Sequence, residues 1–165
     1  MTLQIKKILF ATDLSKNSAY AFYYAIHMAK RDEAKVVILH AVEPLPPMLI
    51  AFEDFVYKVA KDRWEDAVKT IKERLQEFSQ KVDARMGISS LEFVSKTLIR
   101  LGHPVEEILK VVDEEGCDVI VLGTHGKGFL EQTFLGSVSS SVLLRTRKPV
   151  FVVPLPSEDT NTDLI

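Results

Sequence analysis

Gly123, Gly126, Gly136, Ser137 and Ser139 are the residues whose types and spacing first suggest chemistry. They fall in the run Gly123 to Ser141, which follows the apolar stretch Cys117 to Leu122 and enters Val138 to Arg145, a segment of helical apolar spacing. A strand, a glycine-rich loop and a helix start, in that order, suit the binding of an anion. Glycine lets the main chain approach a ligand with no Cβ in the way, and the first-turn N–H groups of a helix point outward at its positive end. Gly136-Ser137-Val138-Ser139 supplies those donors together with two hydroxyls. The anion this arrangement suits best is phosphate.

Two common phosphate fingerprints do not fit. A Walker loop needs Lys and then Ser or Thr after its second glycine, but Gly128 is followed by Phe129; a dinucleotide G-x-G-x-x-G needs glycine where Glu131 stands. The spacing present is Gly123-x-x-Gly126, nine residues, then Gly136-Ser137. This resembles the ATP-binding loop of the universal stress protein family. Ile8 to Ser15 looks like that family's first strand and aspartate turn, and Val37 to Val42 is similar to its second strand. Gly102 to Ile108 matches the turn into its third helix, and Pro149 to Pro154 resembles its closing strand.

The resemblance implies a three-layer, doubly wound α/β fold with a five-stranded parallel sheet in the order 3-2-1-4-5. It also implies a site for an adenine nucleotide, ATP with Mg²⁺ or Mn²⁺. The residues it carries over are Ala11, Thr12, Asp13, Ala41, Leu122, Gly123, Gly126, Lys127, Gly136, Ser137, Val138 and Ser139. Ala11, Ala41 and Leu122 are implied as neighbours of adenine. Asp13 has two readings: a cap or Asx turn before a helix, or a contact to the ribose or to the divalent ion. Lys127 is either a phosphate contact or a solvated cation. The family further implies a homodimer paired through Val150 to Val153 and a nucleotide-dependent role in stress response or signalling with an unidentified protein partner; a cytoplasmic location is expected from an N-terminus that enters a strand at Lys6-Lys7 without a signal-like apolar region. The alternatives are a nucleotide-independent dimeric interaction module and a slow nucleotide hydrolase.

No side chain in this sequence makes a convincing catalyst. His125 has no evident orienting partner, as a general base would need. His27, His40 and His103 are scattered singly, without metal-ligand spacing. The one cysteine, Cys117, opens an apolar strand and is expected to be buried.

The elements that must position the loop follow from periodicity. Ile5 to Ala11 reads as a strand buried on both faces, followed by the turn Thr12 to Ser15. Asn17 or Ser18 then caps a helix whose Ala19, Phe22, Ile26 and Ala29 share one face. Lys35 to Val42 is a second strand, stopped by Pro44, Pro46 and Pro47. From about Ala51 to Met86 the pattern is helical, with a core-facing stripe of Trp64, Val68, Ile71, Leu75, Phe78 and Val82.

Ile88 to Leu101 reads as a third strand at an edge, in which Leu91 and Phe93 supply β-favouring residues. After Gly102-His103-Pro104, a helix buries Val105, Ile108, Leu109 and Val112 and stops at Gly116. Cys117 to Leu122 is the fourth strand and Val150 to Val153 the fifth. Such alternation argues for helices on both faces of a parallel sheet, with a crevice where the first and fourth strands diverge; Asp13 and Gly123 belong on its rim.

Composition sets the frame. The chain has 165 residues, 47% of them apolar and 27% charged, enough for one domain over residues 1–156 and a loose polar tail over 157–165. A net charge of −2 gives no electrostatic case for binding nucleic acid or an anionic membrane. No apolar run approaches the ~20 residues of a membrane span.

Overall fold

The apolar runs do form strands, and these share one parallel sheet. The computed structural model describes residues 4–15, 18–46, 53–124 and 135–154. In chain order they build β1 (Lys7–Ala11), α1 (Ser18–Asp32), β2 (Lys35–Val42), α2 (Glu53–Met86), a 3₁₀ turn (Ser90–Phe93) and β3 (Val94–Leu101). There follow α3 (Pro104–Glu114), β4 (Val119–Gly123), α4 (Ser137–Arg145) and β5 (Val150–Val153). The sheet order is β3-β2-β1-β4-β5, every pairing parallel, as the family resemblance implied.

Register explains why the strands are apolar throughout. Ile8 pairs with Val36 and with Val119, and Phe10 with Ile38 and with Val121, so alternate side chains stack on one face. On that face Ile8, Phe10, Val36 and Ile38 pack under α1 and α2; on the other, Leu9, Val37, Leu39 and Ile120 pack under α3 and α4. A strand covered on both sides has no position for a polar residue. Ala19, Phe22, Ile26 and Ala29 of α1 are all buried, and the Phe22 ring lies 5.6 Å from Phe10 and 6.1 Å from Phe78 of α2. Burying a side chain of this size contributes roughly 1.5–3 kcal/mol.

Two expectations change. Ile88 to Leu101 is not one strand: Ser90–Phe93 turns as a 3₁₀ helix because the Asp83 carboxylate accepts the Ser90 N–H at 2.7 Å and drags the chain round. Only β3 then lies flat, at the sheet edge as expected. The α2 stripe also divides. Ile71, Leu75, Phe78 and Val82 are buried, but Trp64 is 39% exposed. The reason is length: 34 residues span roughly 51 Å, about twice the ~26 Å of an eight-residue strand. One end of α2 therefore outruns the sheet, on the side where the strands end.

The helix stops behave as the sequence suggests. Pro104 opens α3 with Glu106 and Glu107 in its first turn, and Gly116, at φ +63°, ends it in the left-handed conformation that glycine adopts without strain. Cys117 follows, fully buried, and burial pushes its thiol up to about 11.

Candidate functional site

A crevice of about 1000 Å³ opens at the carboxyl ends of β1, β2 and β4. This is the topological switch point: the connection after β1 leaves to one face of the sheet and that after β4 to the other. Ala11, Thr12, Asp13, Ala41, Leu122, Gly123, Gly136, Ser137, Val138 and Ser139 all line it. Every site residue expected from the sequence that falls among the described residues is therefore gathered in one place. Gly126, Lys127 and His125 lie outside the described residues.

The β1 rim is built by two side chains that bend their own backbone. Thr12 Oγ1 accepts the Leu14 N–H at 3.0 Å; Asp13 Oδ1 accepts the Ser15 N–H at 2.9 Å and the Ser18 hydroxyl at 2.8 Å. Asp13 thus does form the Asx turn that was one of its two readings. Leu14 is left at φ +63°, a conformation that costs a non-glycine residue roughly 1–2 kcal/mol. Its side chain, 4% exposed, packs into the core beneath α1, which offsets that cost.

The opposite rim is the start of α4. Gly136 is its N-cap, so no side chain caps the helix. The Gly136 N–H donates to the Thr124 carbonyl at 2.6 Å and Ser140 N–H to Gly136 O at 2.9 Å, which leaves Ser137, Val138 and Ser139 as the first-turn donors. Three amides at a helix's positive end, beside a crevice, are equipped to take a phosphate or another anion. The Ser139 hydroxyl has a different task from the one expected: it donates to the Gly123 carbonyl at 2.7 Å. Its single proton is committed to holding β4 against α4, so towards a ligand Ser139 offers its main-chain N–H.

Reading the sequence missed two contributors. His40 lines the crevice, and its Nδ1 lies 2.9 Å from the Thr12 carbonyl. A carbonyl only accepts, so Nδ1 carries the proton and pins β2 to the β1 rim. Its place one residue before Ala41, at a strand's carboxyl end, was the available signal. The second contributor is α2, whose Arg63, Asp66, Ala67 and Thr70 form a further wall. The helix's excess length over the strands was the clue to that overhang.

A doubly wound, Rossmann-like α/β sheet with a polar crevice at its switch point defines the class. The chain belongs to the universal stress protein family, whose model matches residues 4–154. It is 30% identical over 157 residues to universal stress protein MJ0577 of Methanocaldococcus jannaschii, covering 93% of this chain and 97% of that one. A solved structure of the hypothetical protein MJ0577 superposes with TM-score 0.75 at 28% identity, covering 94% of this chain and 99% of the other. The fold is shared too by a universal stress protein from Archaeoglobus fulgidus in complex with dAMP, at TM-score 0.57 and 19% identity, covering 92% and 99%. A universal stress protein in complex with cAMP is similar at TM-score 0.60 and 19% identity, covering 93% of this chain and the whole of that one.

Proposed function

We propose that this universal stress protein binds an adenine nucleotide in the crevice, ATP together with Mg²⁺ or Mn²⁺, and acts in stress response or signalling through its occupancy. The observation that carries the reading is the uncapped start of α4, with three main-chain donors facing the same crevice as Asp13. Solved family members in complex with cAMP and dAMP support an adenine nucleotide as the class of ligand. Ala11 and Ala41 are small enough to admit a flat ring beside Leu122, and Gly126 and Lys127 complete the phosphate loop.

The residues present are compatible with a divalent ion. Mg²⁺ prefers one or two carboxylates plus phosphate oxygens and waters, and Asp13 offers one such carboxylate. Among the described residues no three His, Cys, Asp or Glu side chains cluster, so the ion would be held jointly with the ligand. When bound, it supplies charge neutralisation between phosphates and carboxylates. The chain's own groups bind and orient: α4 amides hold phosphate, and Asp13, fixed by Ser15 and Ser18, presents its carboxylate.

Nucleotide occupancy acts as a switch by favouring one arrangement of a partner-facing surface over another, which requires that the ligand bind the two arrangements with different affinity. The protein works as a homodimer in the cytoplasm, paired along β5, where Phe151 is 40% exposed and Leu144 of the neighbouring α4 is 85% exposed. Denaturing the freshly purified protein and identifying released nucleotide by mass spectrometry tests the reading. Bound adenine nucleotide, turned over slowly in a phosphate-release assay, is expected. Rapid turnover would instead indicate a hydrolase.

A further inference from the structure

The inference below rests on the nucleotide reading and concerns which nucleotide the crevice prefers. We propose that Arg63, on the wall contributed by α2, is a selectivity determinant favouring adenine nucleotides with a polyphosphate chain over those with a single phosphate.

Arg63, Asp66 and Thr70 sit three and then four residues apart on α2, so they share one helix face, and all three line the crevice. That face belongs to the half of α2 that outruns the sheet. Arg63 is half-buried, yet among the described residues it has no hydrogen-bond or ion-pair partner, not even Asp66 one turn on. Four other bases of the helix are paired, Lys61 with Glu65 at 3.8 Å, Lys69 with Glu73 at 4.0 Å, Arg74 with Glu77 at 2.9 Å and Lys81 with Glu77 at 3.4 Å, and the unpaired Lys58 and Lys72 are exposed to water, unlike Arg63. An arginine stays charged at any physiological pH, and its planar fork of N–H donors matches phosphate oxygens. Partly withdrawn from water and left without a carboxylate, such a group is set up to receive an anion from the crevice.

Its position says which anion. α2 packs on one face of the sheet and α4 on the other, so Arg63 and the α4 amides reach the crevice from opposite sides. One phosphate engages one wall; a chain of phosphates has the reach to engage both. Asp13, Glu43 and Asp66 also line the crevice, and Arg63 is the one lysine or arginine among the described residues that does. Removing it leaves no lysine or arginine among the described lining residues to offset those carboxylates.

The test is titration of the full chain with ATP, ADP and AMP, each with Mg²⁺, for the natural protein, Arg63→Gln and Arg63→Lys. The natural protein should bind more tightly as phosphates are added. Arg63→Gln should weaken ATP by about ten- to a hundredfold and leave AMP nearly unchanged. Arg63→Lys should recover part of the preference, and it decides the matter alone if the glutamine variant does not fold. Equal weakening of ATP and AMP, or ATP affinity untouched by both substitutions, would overturn the role of Arg63 while leaving the nucleotide reading standing. If the natural protein bound no adenine nucleotide, both would be overturned.

Discussion

The Gly136 main-chain N–H donates to the Thr124 carbonyl at 2.6 Å, so the chain that leaves β4 is tied back to it at the residue where α4 begins. The Ser139 hydroxyl, bonded to Gly123 O at 2.7 Å, adds a second tie. Together they place the free amides of α4 beside the end of β4.

Backbone conformation does not require glycine at 136. Its φ of −65° and ψ of 161° are open to any residue, so valine there should be tolerated by the fold while filling space beside the α4 donors. Gly126→Val combined with Gly136→Val should abolish ATP binding by calorimetry and leave the far-ultraviolet circular dichroism spectrum unchanged. Undiminished affinity would remove the loop from the account.

The turn that Asp13 holds and the ligand contact proposed for it separate by substitution. Asp13→Ala removes the acceptor for Ser15 N–H and Ser18 Oγ, and should cost about 1 kcal/mol in thermal unfolding, as loss of a capping acceptor does. Asp13→Asn keeps one acceptor oxygen, so it should retain most of the stability yet bind Mg-ATP more weakly than the natural protein. A stable asparagine variant with full affinity would confine Asp13 to its turn.

Edge pairing along β5 has its own signature. Val152→Lys puts a charge in the middle of the strand and should shift the solution mass, read by light scattering, from dimer to monomer. An unchanged mass would count against this interface.

Cys117 makes stability depend on alkaline pH. In the unfolded chain the thiol titrates near its ordinary 9.0, but burial holds the folded value at about 11. Between those values the unfolded state binds fewer protons than the folded one, so stability falls as pH rises through this window. Denaturant titrations at pH 8 and pH 10.5 should show that loss, and Cys117→Ala should reduce it.

Much of this was legible because burial leaves a strong mark on sequence. Ile8 to Ala11 and Val119 to Leu122 are apolar because both sheet faces are covered, and β2 and β5 were bounded correctly by the chemistry of Pro149, Pro154 and the residues after Val42. What escaped were features set by tertiary distance. The Asp83 bond that turns Ser90–Phe93 joins residues seven apart, and β propensity in Leu91 and Phe93 does not report it. The exposure of Trp64 and the entry of Arg63 into the crevice depend on how far α2 extends beyond the sheet, which heptad-like spacing does not encode. Ser139 is legible as a site residue, but the hydrogen bond its hydroxyl donates to Gly123 O joins residues 16 apart and leaves no mark on local spacing.

The central claim is that the α4 amides and Asp13 serve one nucleotide. Calorimetric titration of the purified protein with ATP, with and without Mg²⁺, tests it most directly. The account predicts saturable binding at one site per chain, tighter with Mg²⁺ and lost in the Gly126→Val, Gly136→Val variant. Absence of heat and of any competing adenine nucleotide, in protein first stripped of bound ligand, would contradict it.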